Sequence, residues 1–537
     1  MHFDGLPLID VVEFDDGAVV ASQALDPAVV SLSRYREKAC DLLSLDELLR
    51  ECEEISRAMT NLHEAGCVWL NFQKDAFVWT KAGPLITNMD CRLFSVGECP
   101  TSMQISSQWS APETQAFDAR MISAATDVFH LGLYVYYSIA GLLESGFSGS
   151  GPAAFGFTLP HLRVYSQSLP PGLAPVIERA VHRRPSFRFS KPAEFIETLR
   201  IAMDGVRGRT ECTQSELPPA KKSMSKAFLD LCTSVFARKE LKELQQIEVG
   251  CVSVAGTAKQ SAGIPNQDIA EVRKHEFPGQ SLHVVVVADG VSTATVGSGD
   301  VASKIACRSI HEFIAKSLHD CHTNPDWGVI LRDACRLASG QVVDAAKALG
   351  DFPAELTDSG IMSSTAVIAI ISGDAVVVAN VGDSRAYLVR DAFAEQLTVD
   401  GDTGTNLLSQ MTPPEDVLAL GESGKSLHFC LGSCHINTTG EFLLNVDRCT
   451  PTMNQFRMVA GDTLILCTDG LVDEGVFLEP EELRQLVHDN KALNAQELAE
   501  KLVAEADRKQ RSVSETEPKG FGDNISCALI RFATVKC

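Results

Sequence analysis

The chain has 537 residues and a formal charge of −23 at neutral pH, with a sequence pI near 5.0. This acidic balance argues against a nucleic-acid ligand, because phosphate backbones are bound by clusters of Lys and Arg. The 17 cysteines contain no CxxC pair, and the first residues lack the basic and apolar regions of a signal peptide. We therefore expect reduced thiols and a location in the cytoplasm or nucleus, without secretion.

The N-terminal part is predicted to start with short strands and to continue with helices up to about Met203. The runs "LIDVVEF" and "AVVASQAL" flank Asp15-Asp16-Gly17, which is a hairpin signal. Ser44 and Glu47 form a capping box and predict the start of a helix. The most apolar stretch, Asp127 to Leu143, is shorter than the roughly 20 residues of a membrane span. It predicts a buried helix, and no membrane span is expected.

A polar segment rich in helix breakers follows at 204–226 and predicts a linker. A short amphipathic helix extends this linker to residue 247. From Val249 onward, strand-like runs such as "LHVVVVA", "TAVIAII", "AVVVANV", "RAYLVR", "TLILC" and "ISCALIRF" alternate with helical stretches. Helices are predicted near Ala302–Lys316, Trp327–Leu349 and Pro480–Arg508. The fold class is therefore α+β, with domains at 1–203 and 248–537 around the linker at 204–247.

Four aspartates lie in separate stretches of the C-terminal part, each beside an apolar run: Asp268, Asp289, Asp469 and Asp523. Strands that carry a carboxylate at one end can bring several of them to one edge. Mg²⁺ and Mn²⁺ prefer such oxygen ligands. One Asp-Gly pair is usually only a turn, but four such positions predict a metal-dependent hydrolase.

The motifs "VVADGVS", "ANVGDSRAYL", "LILCTDGLVDEG" and "GFGDNIS" occur in the order and spacing of the type 2C serine/threonine phosphatases, the metal-dependent PPM family. The chain resembles this family from about Glu248 to Phe532. The resemblance implies an α/β-β/α four-layer β-sandwich with two Mg²⁺ or Mn²⁺ ions at one end. It also implies hydrolysis of phosphoserine and phosphothreonine in phosphoproteins by a metal-activated water.

The same resemblance assigns roles to individual residues. Asp289 would bridge both metals, and the Gly290 carbonyl would contact one of them. Asp469 and Asp523 would hold the first metal, with Asp268 nearby. The catalytic residues, acting through the metal-bound water, would be Asp289, Asp469 and Asp523. A third, weaker metal position would involve Asp383 and Asp473.

Three positions depart from the family pattern. The phosphate-binding arginine of the family falls on Gly263, an acidic residue falls on Gln267, and a histidine falls on Val291. Loss of the arginine matters most, because a guanidinium binds phosphate through two strong hydrogen bonds. Three basic residues are candidates to replace it: Lys259, Arg273 and Lys274. The alternative function is a catalytically degenerate scaffold that binds phosphoproteins or partners.

Residues 6–200 resemble a protein kinase, through "MTNLHEAGCVWLNFQKDAFVW", "SAPE", "TDVFHLGLYVYYSIAG" and "RRPSFRFSKPAEFIETL". This implies a mostly α-helical domain with a truncated N-lobe. The structural positions of the kinase fold are kept at Glu113, Asp127, Gly132 and Arg188, with Arg188 expected to pair with Glu113. We expect the tyrosines at 134, 136 and 137 to be core residues.

The catalytic groups of kinases are replaced. Their histidine-arginine-aspartate triplet falls on Trp69, Leu70 and Asn71, and their metal-binding asparagine falls on Ala76. The aspartate-phenylalanine-glycine triplet falls on residues 88–90, which read Asn-Met-Asp. Phosphoryl transfer needs these groups, so the resemblance implies a pseudokinase that regulates the phosphatase or recruits a partner protein. The sequence leaves open a start upstream of Met1.

Overall fold

A computed structural model provides the structure of the chain. It describes residues 10–13, 19–22, 30–31, 45–64, 66–69, 72, 77–80, 83–86, 94–95, 109–115, 121–142, 152–153, 159–166, 169–207, 246–261, 263–277, 280–320, 325–350, 360–390, 393–410, 412, 416–417, 419–437, 441–473, 477–516 and 522–533. The chain divides into two compact units, one of Met1–Ser215 with Met411–Ala419 and one of Glu216–Gln410 with Leu420–Cys537.

The first unit combines short strands with longer helices. Its strands are β1 (Asp10–Glu13), β2 (Val19–Ser22), β3 (Val30–Ser31), β4 (Cys67–Val68), β5 (Phe77–Thr80), β6 (Gly83–Ile86) and β7 (Phe94–Ser95). Its helices are α1 (Leu45–Glu64), α2 (Pro112–Gln115), α3 (Ala124–Ala140), α4 (Leu173–Ala180) and α5 (Pro192–Arg207). The predicted N-terminal hairpin is confirmed, since β1 and β2 pair antiparallel.

Helix α3 is the centre of the first unit, as its apolar sequence predicts. A capping box at Ser123 starts the helix, and Gly141 ends it in the left-handed conformation. The three tyrosines expected in the core are fully buried. The hydroxyl of Tyr134 donates to Glu51 at 2.7 Å, and that of Tyr136 donates to the carbonyl of Pro160 at 2.6 Å. The three rings are core, and the hydroxyls of Tyr134 and Tyr136 are satisfied.

A buried ion pair joins distant parts of this unit, and it is the pair expected from the sequence. Arg188 Nη1 and Nη2 donate to Glu113 Oε1 and Oε2 at 2.7 and 2.9 Å. Arg188 also donates to the carbonyls of Ala125 and His182. Asp127, on α3, accepts from the backbone N–H of Trp69 at 2.7 Å. These contacts tie the helices to segments far away in the sequence.

Replacing Arg188 by Met is expected to destabilise the first unit by about 3–5 kcal/mol, because it leaves the buried Glu113 carboxylate without its partner. Arg57→Met is the matched control, since Arg57 forms an exposed pair with Glu54 on α1. That pair is expected to contribute less than about 1 kcal/mol. Urea unfolding followed by tryptophan fluorescence measures both variants. Equal shifts for the two would contradict a structural role for the buried pair.

The second unit contains two antiparallel five-stranded sheets. The first has the order β17 (Thr452–Arg457), β12 (Ala375–Val381), β11 (Ala366–Ser372), β10 (Gln280–Asp289) and β9 (Asp268–Phe277). The second has the order β14 (Phe393–Gln396), β13 (Arg385–Arg390), β18 (Thr463–Cys467), β19 (Ile525–Ala533) and β8 (Gln246–Val254). A small separate hairpin pairs β15 (Cys434–Ile436) with β16 (Phe442–Leu444).

Four helices cover the outer faces of the two sheets: α7 (Gly299–Asp320), α8 (Trp327–Lys347), α10 (Pro480–Asp489) and α11 (Ala495–Thr516). Two shorter helices are α6 (Thr257–Ser261) and α9 (Thr403–Ser409). One core lies between the sheets and includes Val285, Leu388 and Ile530. Two further cores lie under α7 and α8 and under α10 and α11. The predicted four-layer sandwich with antiparallel sheets is confirmed for this part of the chain.

One predicted helical stretch is two helices. The run Pro480–Arg508 is interrupted at residues 490–494 between α10 and α11. Asn490 ends α10, and its side chain donates to the carbonyl of Leu486 at 2.8 Å. Asn494 and Glu497 then form reciprocal side-chain-to-backbone hydrogen bonds that start α11. Two asparagines therefore break the helix, in keeping with their preference for caps over helix interiors.

Some predicted features lie outside the described residues: Leu70, Asn71, Ala76, residues 88–90, and the linker from 208 to 245 with its amphipathic helix. Within the described ranges, no helix is both long enough and apolar enough to cross a membrane.

Candidate active site

Asp268 and Asp289 meet at one end of the first sheet. Asp268 is the first residue of β9 and Asp289 the last of β10, and the two are directly opposite in the antiparallel register. The hydroxyl of Ser364 and the backbone N–H of Thr365 both donate to the Asp289 carbonyl, at 2.9 and 2.8 Å. These bonds hold the end of β10, so the direction of the Asp289 side chain follows from the strand.

The second sheet delivers two further carboxylates to this end. Asp469 follows β18, and Asp523 precedes β19. Thr468 connects the sheets, because its hydroxyl donates to Asp268 Oδ2 at 2.8 Å and accepts from the backbone N–H of Ser526 at 3.1 Å. Sequence reasoning missed Thr468, since a threonine after a strand has no distinctive signal.

Asp383 lies in the turn after β12. Asp473 also follows β18, but further beyond the end of the strand than Asp469 does. Asp383 is near enough to Asp289 and Asp469 for their charges to interact. Arg385 forms paired hydrogen bonds with Asp400 at 3.0 and 2.7 Å and lies 3.9 Å from Asp473 Oδ1. Five of the predicted residues therefore converge, whereas Asp473 faces Arg385.

The carboxylates repel one another in a buried setting. Burial raises the pKa of Asp289 well above its usual value, and the charges of Asp268, Asp469, Asp523 and Asp383 raise it further. The pKa of Asp469 is raised in the same way, first by burial and then by Asp383. Burial raises the pKa of Asp268 to about 6, against the hydrogen bond from Thr468. Negative charge here needs a counter-charge.

The donor set fits divalent cations. The buried atoms Asp268 Oδ1 and Asp469 Oδ1 have no hydrogen-bond partner. Unsatisfied carboxylate oxygens are costly unless a cation or proton takes them up. The converging side-chain groups are all carboxylate oxygens, which is the chemistry that Mg²⁺ and Mn²⁺ prefer.

Mn²⁺ is expected to raise the melting temperature more at about pH 7.5 than at about pH 5, because binding releases protons from the aspartates. The pKa of Asp268 rises from 3.8 to about 6 on folding, so the metal-free chain keeps protons that the unfolded chain loses. The stability of the metal-free chain therefore falls as the pH rises from about 3.8 to about 6. Above this range, bound cations take the place of the lost protons. Thermal melts at both pH values measure this. An equal Mn²⁺ shift at both would contradict it.

Gly290 allows the chain to pass close to α7 beside the carboxylates. A Cβ at Gly290 would lie 1.9 Å from the Gly299 carbonyl oxygen, so any side chain would displace the backbone. The Gly290 N–H donates to the carbonyl of Gln267 at 3.1 Å. These contacts couple the start of β9 to the end of β10. The metal contact expected for the Gly290 carbonyl stays a prediction.

Lys259 is the basic residue at this site among the three candidates. Its Nζ forms an ion pair with Asp523 Oδ1 and donates to Gln267 Oε1 at 3.2 Å. Burial opposes the charged form, but Asp523, Asp289 and Asp268 together raise its pKa. Arg273 pairs with Glu271 further along β9, and Lys274 with Glu276. The sequence alone could not choose among the three candidates, but the structure shows that Lys259 is the one that contacts the carboxylate cluster.

The position of the family's arginine is unsuited to a side chain. Gly263 has a φ of +67°, in the left-handed region that favours glycine. No atom lies within 4 Å of a Cβ placed there, so backbone strain rather than crowding opposes substitution. Arg385 is already engaged by Asp400 and by the carbonyl of Val472 at 2.8 Å. These contacts leave Lys259 as the candidate for phosphate binding.

The family model "Protein phosphatase 2C" matches residues 255–506. "Serine/threonine phosphatase stp" from Listeria monocytogenes serovar 1/2a is 29% identical over 211 residues, which cover 37% of this chain and 71% of that protein. The solved Mycobacterium tuberculosis phosphatase PstP/Ppp is similar with a TM-score of 0.38 at 19% identity, over 54% of this chain and 99% of its own. A Staphylococcus aureus serine/threonine phosphatase gives 0.39 at 20% identity, over 55% and 100%.

The family match spans Lys259, Asp268, Asp289, Asp383 and Asp469, and Asp523 follows shortly after its end. The match therefore covers most of the converging carboxylates as well as the lysine beside them. Residues 255–506 therefore match protein phosphatase 2C, and the enzyme class that the family match and the relatives support is protein serine/threonine phosphatase.

Proposed function

We propose that this domain hydrolyses phosphoserine and phosphothreonine in phosphoproteins with the help of Mg²⁺ or Mn²⁺. The observation that carries the proposal is the convergence of five aspartates from both sheets: Asp268, Asp289, Asp383, Asp469 and Asp523. Bound divalent cations lower the pKa of water to supply the nucleophile and neutralise phosphoryl charge. The buried Cys467, whose pKa is raised to about 12, is no thiolate nucleophile.

The residues around the cluster have different tasks. Asp289, Asp469 and Asp523 are the catalytic carboxylates, and Asp268 and the Gly290 carbonyl complete the ligands of two cations. Asp383 serves a third, weaker cation position, which Asp473 joins by turning away from Arg385. Lys259 supplies the positive charge that the missing arginine would have brought. Its flexible side chain lets the ammonium turn from Asp523 towards a phosphate.

The test is hydrolysis of a phosphothreonine peptide by the full chain during a titration with Mn²⁺. Release of phosphate that rises with Mn²⁺ and stops after chelation is expected. Undetectable hydrolysis at saturating Mn²⁺ would overturn the proposal. Phosphate release that continues unchanged after chelation would contradict the metal-dependent mechanism, although it would still show phosphatase activity.

The second candidate is a degenerate scaffold that binds phosphoproteins without turnover, and Gly263 is the feature that favours it. Calorimetry separates the two candidates. Uptake of Mn²⁺ and of phosphopeptide without any hydrolysis would select the scaffold.

For the first unit we propose a pseudokinase that regulates the phosphatase or recruits a partner protein. The Arg188–Glu113 pair and the contact of Asp127 with the Trp69 backbone support this. Close packing at Gly132 adds support, because a Cβ there would lie 2.7 Å from Ala180 Cβ. Incubation with labelled ATP tests the proposal, since any autophosphorylation would overturn it. The cytoplasm or nucleus is the proposed compartment.

A further inference from the structure

A second cluster of metal-ligating groups lies between β9 and α7. It consists of Glu271 on β9 and of Cys307 and His311 on α7. One ligand atom from each lies within 4.8 Å of the others. Cys307 and His311 are one helical turn apart, so both face the sheet. The cluster uses sulfur, nitrogen and oxygen, unlike the carboxylates at the end of the sandwich.

His311 is the observation that points to a ligand. Its side chain is fully buried, and neither ring nitrogen makes a hydrogen bond of good geometry; the backbone of Glu271 interacts with the ring only weakly. A neutral imidazole carries one N–H donor and one lone pair, and burying both unsatisfied is costly. A metal ion bound to one nitrogen would compensate part of that cost. Apolar packing by itself gives no reason for a histidine here.

Glu271 and Cys307 already approach each other. Cys307 Sγ lies 3.5 Å from Glu271 Oε2, and Arg273 Nε donates to the other oxygen, Oε1, at 2.6 Å. Arg273 therefore orients the carboxylate and leaves Oε2 facing the thiol. Metal-binding carboxylates are commonly held by such an outer hydrogen bond. The Glu271 side chain is 34% exposed, which provides a path for an ion from solvent.

We propose that Glu271, Cys307 and His311 bind a zinc ion, separate from the cations of the phosphatase site. Thiolate, imidazole and carboxylate are the ligand types of zinc, whereas Mg²⁺ and Mn²⁺ prefer oxygen ligands. Ligand atoms around tetrahedral zinc are about 3.5 Å apart, so a small closure of the side chains suffices. Binding forms the zinc–sulfur bond, and the thiol proton leaves to solvent. The charges of Cys307 and Glu271 then balance that of the ion.

The fourth ligand is a water, because among the described residues the cluster supplies three protein ligands. The zinc ion would hold β9, an edge strand, to α7. Since β9 begins at Asp268, the ion would also hold that strand of the phosphatase site in place.

Cobalt substitution in the full-length protein tests this site. Bound metal is first removed with a chelator, and Co²⁺ is then added to the metal-free protein. Co²⁺ bound by a thiolate gives a strong sulfur-to-cobalt charge-transfer absorption in the near ultraviolet, which all-oxygen sites cannot give. We expect this band in the unmodified chain and in Asp469→Asn, and its loss in Cys307→Ser together with the bound zinc. His311→Gln is expected to weaken it. Cys335→Ser is the matched control, because Cys335 is another buried free thiol on a neighbouring helix.

Absence of the band from the unmodified chain would overturn the proposal, and this result does not depend on the folding of any variant. A band that survives undiminished in Cys307→Ser would overturn it as well. Competition by Zn²⁺ that removes the band without removing Mn²⁺-dependent hydrolysis would support two separate metal sites.

Discussion

Asp289→Asn is expected to lower Mn²⁺-dependent phosphopeptide hydrolysis by at least about a thousandfold, which exceeds the usual effect of one electrostatic contact. Asn keeps the shape of the side chain but removes the charge placed between the other carboxylates. Without metal, the same change relieves repulsion, because burial and four neighbouring aspartates raise the pKa of Asp289 well above its usual value. Stability without Mn²⁺ should therefore stay constant or rise while activity is lost.

This opposite behaviour separates a functional effect from a folding defect. Thermal melts without metal and phosphate release with Mn²⁺ measure the two quantities on one preparation. Asp344→Asn is the matched control, since Asp344 on α8 has a side chain that is 75% exposed. Activity in Asp289→Asn above about a tenth of the original would contradict its place in the catalytic centre.

Lys259→Met is expected to lower kcat/KM for a phosphopeptide by about a hundredfold, which is the scale of one charge-assisted contact to phosphate. Met keeps the length and apolar stem of the side chain but removes the ammonium that pairs with Asp523. Most of the loss should appear in KM if Lys259 binds the phosphate equally before and during the reaction. Lys259→Arg should retain most activity.

Steady-state kinetics over a range of phosphopeptide concentrations separates KM from kcat. Lys274→Met is the matched control, because Lys274 is 58% exposed and pairs with Glu276 on the same strand. Unchanged kinetics in Lys259→Met would show that another group binds the phosphate. If Lys259→Met needed more Mn²⁺ for half-maximal activity while its KM stayed unchanged, Lys259 would act on the carboxylates and not on the phosphate.

Much of the fold was predictable because its signals are local. The β-branched apolar runs form β10, β11, β12, β13, β18 and β19 as expected, since their side chains are buried on one or both faces. Strand β9 was missed, because its residues 271–276 are charged or histidine apart from Val272 and interrupt the apolar run. That pattern belongs to an edge strand, where one face tolerates charge. The break after α10 was missed because a helix cap gives a weaker sequence signal than helical periodicity does.

The order of four aspartates in the sequence was enough to predict a carboxylate centre, since each lies at the end of a strand. Only the tertiary structure decided which basic side chain joins them, because Lys259 reaches Asp523 across 264 residues of chain. It also decided the Glu271–Cys307 contact, which joins residues 36 apart. Strand formation depends on neighbours along the chain, whereas a site depends on how sheets and helices pack, and no local pattern records that packing.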